Sequence, residues 1–275
     1  MIVDIYFWLS VCVSAVLTAT LAAGRGFTTV LLFLGLSAAL FVAVVLLHLI
    51  FCFAISAFTD LSKPCRERKP LYRKILAVTA AGVLRLSRVR VHISGEELPT
   101  GRFLLVSNHL SNFDPIVCID KFRKHEIAFV SKPENFRIPI LGKFVHNCNY
   151  LPIDRENARN AMRTINDAAE LIKDDVCSIG IYPEGTRSKT GELGPFHDGV
   201  FRIAYKSKVP VAVVTVRGTE NIAKNYPFKH TDVYMDVVQV IPYEDYSEER
   251  YGEFGERVRV IMLESLNKTH RQQIG

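Results

Sequence analysis

Apolar residues fill two early stretches of the chain almost without interruption. Residues 5–23 carry no charge and match the ~20 residues that a membrane-spanning helix needs. Gly24-Arg25-Gly26 breaks the run. Phe27–Ser56 then continues without Lys, Arg, Asp or Glu. This second run is longer than one span requires, so it is predicted to tilt or to extend beyond the bilayer. Downstream the pattern changes. Residues 89–93 alternate weakly and end in a turn at Gly95, and 103–106, 127–130, 177–182, 209–216 and 233–241 read as strands. The 209–216 run is β-branched and apolar on both faces, which suits a sheet covered on both sides. Ala158, Ala161, Met162, Ile165, Ala168, Ala169 and Ile172 recur at steps of three and four, predicting a helix over 157–173. A short helix is expected over 199–206. A C-terminal helix is expected over 247–267, with Ser247 as N-cap and Glu248 and Glu249 in its first turn. Residues 71–86 are also helical in pattern and suit either the membrane interface or the core. Strands alternating with helices predict an α/β fold, a mostly parallel central sheet flanked by helices, preceded by an N-terminal membrane helical segment.

Charge sharpens the division. Asp4 and Arg25 are the only charged residues in the first 56 of 275, and the rest has ordinary globular chemistry. The expected organisation is a hydrophobic membrane anchor over 1–56, a basic membrane-proximal helical segment over 57–88, and a soluble domain over 89–275. The head Met1-Ile2-Val3-Asp4 lacks a basic n-region, so a retained anchor is expected rather than a signal peptide. Lys63, Arg66, Arg68, Lys69, Arg73 and Lys74 stand against one acid, Glu67. Such a cluster beside a span places the domain on the cytoplasmic face. It is expected to rest on anionic headgroups, with a solvated linker as the alternative. Apart from Tyr72 it has no interleaved aromatics, so nucleic acid is not an expected partner. Either two spans or one span plus an interfacial helix fits the anchor. Cys12, Cys52, Cys65, Cys118, Cys148 and Cys177 show no C-x-x-C spacing, so neither a disulfide framework nor a metal site is expected.

Two segments carry candidate chemistry. The strand at 103–106 runs into Ser107-Asn108-His109-Leu110-Ser111-Asn112-Phe113-Asp114-Pro115. A carboxylate near an imidazole accepts from Nδ1–H, which fixes the tautomer and leaves Nε2 as a base. The bland reading is a surface His beside an unrelated N-cap Asp. The strand at 177–182 runs into Pro183-Glu184-Gly185-Thr186-Arg187-Ser188. Gly185 lets the backbone approach a ligand, and Arg187 supplies a planar fork suited to phosphate. The bland reading there is a Gly turn with a surface Arg. There is no G-x-x-x-x-G-K loop.

Together these segments resemble the 1-acylglycerol-3-phosphate acyltransferase family of glycerolipid acyltransferases. The family's N-H-x-x-x-x-D motif is matched by Asn108, His109 and Asp114, and its F/Y-P-E-G-T-R-S motif by Tyr182 to Ser188. A G-x-x-[FI]-x-D-R block is partly matched by residues 149–155, with Asn149 where a small residue is common. An apolar strand with an inner proline corresponds to residues 209–213. Where many relatives have Phe-Lys-x-Gly, this chain has Phe196-His197-Asp198-Gly199. His197 therefore lies near the phosphate site or is structural.

The resemblance implies transfer of an acyl group from an acyl thioester to the sn-2 hydroxyl of 1-acyl-glycerol-3-phosphate (lysophosphatidic acid), giving phosphatidic acid in phospholipid biosynthesis. His109 would take the hydroxyl proton and Asp114 would orient it. Arg187, Arg155 and Lys132 would hold the acceptor phosphate, and Glu184, Gly185 and Thr186 would shape that pocket. No cofactor or metal is implied; acyl-CoA or acyl carrier protein is the co-substrate, and membrane lipids are the remaining partners. The absence of a G-x-S-x-G elbow agrees with direct attack by the acceptor. Three rivals remain: the same chemistry on glycerol 3-phosphate or another lysophospholipid, a non-catalytic adaptor that binds phosphatidic acid, and a lipid hydrolase.

Overall fold

The computed structural model describes residues 2–21 and 26–274, so most of the break expected at 24–26 lies outside the described residues. Helix α1 covers Ile2–Leu21 and α2 covers Phe27–Ser56. At 1.5 Å per residue α2 is about 45 Å long, more than the ~30 Å of a bilayer core. Among the described helices it is the one long and apolar enough to cross a membrane, and its most apolar window is not buried in the protein. The two helices run antiparallel, since Tyr6 near the start of α1 meets His48 near the end of α2. Ser10, Ser14 and Thr18 form the buried stripe of α1. Small polar residues at four-residue steps let apolar helices approach closely.

Helix α3, Pro70–Leu86, packs on the domain core, one of the two placements expected for it, and also touches α1 and α2. Tyr72, Ile75 and Leu76 pack on the domain core. Thr79 reaches His48 of α2, and Arg85 pairs with Asp4 of α1 at 2.5 Å. The sheet follows: β1 Val89–Gly95, β2 Leu104–Ser107, β3 Ile127–Ser131, β4 Leu151–Pro152, β5 Ser178–Ile181, β6 Val211–Arg217 and β7 Thr231–Ile241. Its order is β1-β7-β6-β2-β5-β3-β4. Every neighbouring pair is parallel except β6 with β7. Helices α4 (Phe113–Lys121), α5 (Leu141–Asn147), α6 (Ala158–Lys173), α7 (Arg202–Ser207), α8 (Ile222–Asn225) and α9 (Tyr251–Ile274) complete the chain. The α/β fold with a mostly parallel sheet is as read from the sequence. The core strands β2, β5 and most of β6 are buried on both faces.

Local chemistry explains the element ends. Asn157 caps α6 by accepting from Arg159 and Asn160 N–H. Strand β6 begins after Pro210, which has no N–H to pair, although its carbonyl accepts from Leu104 N at 3.0 Å. Three expectations are corrected. The C-terminal helix starts at Tyr251, not at 247: Ser247 Oγ donates back to the Glu244 carbonyl instead of capping, and Glu253 is the acid in the first turn. The 199–206 segment splits into a short 3₁₀ turn, Asp198–Phe201, and α7. The basic run does not simply face headgroups. Arg66 pairs with Asp167 and Glu170, Arg68 pairs with Glu126, Lys69 donates to Asn147, and Arg73 donates to the Glu126 carbonyl and Asn149. Most of these cations fasten the linker and α3 to the domain.

Candidate active site

Strand β2 lies between β5 and β6, and the chain leaves it in opposite directions for later neighbours. Ligands bind beyond the carboxyl ends of strands at such a switch point. Asn108 follows β2 and prolongs its pairing with β6: its amide donates to the Val216 carbonyl at 2.9 Å, and its Oδ1 accepts from Val216 N at 2.7 Å. This clamp fixes the backbone from which His109 emerges.

His109 is partly exposed, and Asp114 in the first turn of α4 is fully buried. His109 Nδ1 lies 2.7 Å from Asp114 Oδ2. The same oxygen accepts from Leu110 N at 2.7 Å and Ser111 N at 2.8 Å, and Oδ1 accepts from Thr219 Oγ1. Four donors around one carboxyl suit the acceptor-only, ionised form. With Nδ1–H donating to Asp114, Nε2 is the lone-pair nitrogen, and it has no hydrogen-bond partner among the described residues. The imidazole stacks on Tyr182, with centroids 4.1 Å apart and planes 14° apart; Phe129 stacks on Tyr182 at 5.4 Å and 10°. Gly180 makes room for this pile, because a Cβ there would come within 2.5 Å of the Phe129 ring. The Tyr182 hydroxyl is buried without a partner, and burial holds its pKa well above the usual phenol range.

Glu184 is buried beside the histidine. One carboxylate oxygen accepts from His109 N at 2.8 Å and the other from Gly194 N at 2.9 Å. Burial raises its pKa, and these two N–H donors oppose the rise. Its carboxylate therefore ties the His109 loop to the following turn. Ser188 N closes the arrangement by donating to the His109 carbonyl at 2.8 Å.

The cationic part of the site surrounds Gly185, whose φ of 72° is in the left-handed region that favours glycine. A Cβ there would stand 2.8 Å from His197 Cδ2, 3.0 Å from His197 Nε2 and 3.4 Å from Arg155 Nη1. Arg155 is thus brought to the loop by the turn after β4, and desolvation lowers its pKa. Thr186 and Arg187 are exposed on the same loop. Among the described residues the side chains of Arg155, Arg187 and His197 have no hydrogen-bonding partner. Lys132 is exposed just past β3, on the same carboxyl edge, with no contact tying it to the other site residues. Asp198 turns away towards the first turns of α9, where added Cβ atoms on Gly252 and Gly255 would meet its carboxylate.

Of the expected residues, His109, Asp114, Glu184, Gly185, Arg155, Thr186 and Arg187 converge at one edge. Sequence reasoning missed Thr219, which holds the second Asp114 oxygen. Its signal was slight: a Gly-Thr pair following a strand.

His109, braced by buried Asp114, thus stands at the carboxyl edge of a parallel sheet beside a loop whose Arg155 and Arg187 have no hydrogen-bonding partner among the described residues. Residues 88–217 match the Acyltransferase family model, and this segment is an acyltransferase-family domain, as its motifs indicated. The chain is 29% identical over 183 residues to the 1-acyl-sn-glycerol-3-phosphate acyltransferase of Saccharomyces cerevisiae, covering 65% of this chain and 60% of that protein. It is 27% identical over 186 residues to the enzyme of that name from Cocos nucifera, covering 66% and 59%. The chain therefore spans about 60% of the length of these curated relatives. In fold it is similar to the crystal structure of a 1-acyl-sn-glycerophosphate (LPA) acyltransferase from Thermotoga maritima. The TM-score is 0.61 at 22% identity, over 80% of this chain and 87% of that one.

Proposed function

We propose that the protein transfers an acyl group from an acyl thioester to the sn-2 hydroxyl of 1-acyl-glycerol-3-phosphate, forming phosphatidic acid. The observation that carries this reading is His109: Nδ1 is held by buried Asp114, and Nε2 is open beside a cationic loop. Nε2 removes the acceptor hydroxyl proton, and the oxygen forms a bond to the thioester carbonyl carbon. Asp114 stabilises the imidazolium. Collapse of the tetrahedral intermediate breaks the carbon–sulfur bond, and the thiolate leaves with the proton that His109 returns. Arg155 and Arg187 bind the acceptor phosphate, with His197 as a third donor and Lys132 at the outer edge. Glu184 positions the His109 backbone, while Gly185 and Thr186 form the pocket wall. The donor is acyl-CoA or acyl carrier protein, and the domain lies on the cytoplasmic face, following the basic residues beside the span.

The test is an acceptor panel of lysophosphatidic acid, glycerol 3-phosphate and a zwitterionic lysophospholipid. Each is given labelled acyl-CoA and labelled acyl carrier protein, with detergent-solubilised wild type and His109→Ala. Wild type should form labelled phosphatidic acid, and the variant should not. Release of free fatty acid without an acceptor would identify a hydrolase. Phosphatidic-acid binding without turnover would identify an adaptor.

A further inference from the structure

A cleft of about 520 Å³ opens where the long apolar helix meets the domain, within the ~300–1,000 Å³ typical of small-molecule sites. It shares no lining residue with the His109 site. Ile55 in the last turn of α2 and Phe58 just beyond it form an apolar rim; Phe58 is 99% exposed. An aromatic ring at that height suits the boundary between hydrocarbon and headgroups. The rest of the lining is largely polar, with Lys63, Lys69, His146 and Asn147.

Among the described residues neither Lys63 nor Lys69 of the cleft is held in an ion pair. Arg66 is neutralised by Asp167 and Glu170. Lys69 Nζ donates to Asn147 Oδ1 at 2.8 Å, a neutral acceptor that leaves its charge uncompensated. Lys63 is exposed, and the acids in the lining are Asp60 and Glu67. Asp60 keeps its charge beside Lys63 and His146, with one oxygen accepting from Ser62 N at 2.9 Å. The walls are pre-formed. Asn147 donates to Thr59 Oγ1 at 2.6 Å, Tyr72 to the Ile55 carbonyl at 2.5 Å, and Lys143 to the Ala57 carbonyl at 2.6 Å.

We propose that this cleft binds the headgroup of an anionic glycerophospholipid from the surrounding bilayer. The phosphate sits between Lys63 and Lys69, and the acyl chains run along Ile55, Phe58 and the exposed face of α2. The cleft thus offers both apolar side chains, at the end of the long apolar helix, and cations to one ligand. A bound lipid would bridge α2, α3 and α5 and so set how the domain is held on the membrane. This site is independent of the acyl-transfer reading.

The full-length protein in phosphatidylcholine vesicles, doped with a photoactivatable phosphatidylglycerol, tests the proposal by mass-spectrometric mapping of crosslinks. Labelling is expected within 55–72 and 143–147. Lys63→Gln combined with Lys69→Gln should reduce it by about tenfold or more, since each basic residue near a surface contributes to anionic-lipid binding; glutamine keeps a donor for Asn147. Arg155→Ala combined with Arg187→Ala, which removes the proposed phosphate ligands of the acceptor pocket, should label like wild type, which separates this site from that pocket. Soluble inorganic phosphate should not compete. Equal labelling by a photoactivatable phosphatidylcholine, undiminished labelling of the double variant, or displacement by inorganic phosphate would overturn the proposal.

Discussion

His109 is aimed by contacts from three separate strand ends. The expected outcome of His109→Ala is a loss of ~10²–10⁴-fold or more in transfer rate, the usual contribution of a positioned base, with membrane association intact. Near-normal turnover would exclude the mechanism. Thr219 offers a finer measurement. Thr219→Val keeps the shape but leaves a buried carboxylate oxygen of Asp114 without its donor, a loss that costs about 1–3 kcal/mol. kcat should fall and the acceptor KM should stay near wild type, with partial recovery in Thr219→Ser. A rise in KM alone would place Thr219 in binding instead. Arg187→Lys keeps the charge but removes the planar fork, so it should raise the KM for a phosphate-bearing acceptor more than for the thioester. Equal changes in both would point to a structural arginine.

The elements are joined by a few backbone-directed side chains, and Asn149 is the clearest. Its φ is 65°, a conformation open to Gly and Asn. Its Oδ1 accepts from Arg73 of α3, and its Nδ2 donates to the Cys65 and Glu67 carbonyls at 2.7 and 3.0 Å. One residue thus fastens the linker and α3 to the turn before β4, where a small residue alone would supply only the turn. Asn149→Gly removes these bonds and keeps the backbone. Asn149→Ala removes them and adds left-handed strain of ~1–2 kcal/mol. Thermal melts in detergent should rank wild type above Gly and Gly above Ala. Equal melts for the two variants would mean that the left-handed backbone is not the source of the difference.

The whole molecule is an α/β domain bound to an apolar helical pair through α3. Apolar burial does not weaken in salt, and several basic residues of the linker are engaged by the domain rather than by lipid. Membrane attachment should therefore persist in 1 M salt, where the Debye length is ~3 Å; release of the protein into the supernatant would contradict an embedded α2. On the proposed function, an amphiphilic acceptor would place its phosphate at Arg187 and its chain in the bilayer, so the mouth of the His109 site is expected to face the membrane. A reporter placed by Asn112→Cys, in a background without Cys12 and Cys65, should react more slowly with a polar thiol reagent when liposomes are present. Equal reactivity in both states would mean that the site opens to the cytosol and that the lipid must be lifted out.

An unbroken apolar run located the long helix Phe27–Ser56, and the patterning that burial imposes on neighbouring residues located the core strands and the amphipathic α6. His109 and Asp114 were legible for a similar reason: five residues apart in one loop, their contact is local. What lies far apart in the chain was not. Thr219 meets Asp114 because β6 pairs with β2, and His197 and Arg155 both approach Gly185 because β4 and β5 end at the same edge. The basic run shows the limit from the other side. Composition recorded its charge, but the partners of Arg66, Arg68 and Arg73 come from elements 53 to 104 residues away. Ser247 had the right residue type for a cap, yet its hydroxyl found a nearer carbonyl. Local patterns determined which segments would fold and where a base and its carboxylate would sit. Only long-range packing decided which donors would complete the site and which charges would remain free to meet a ligand.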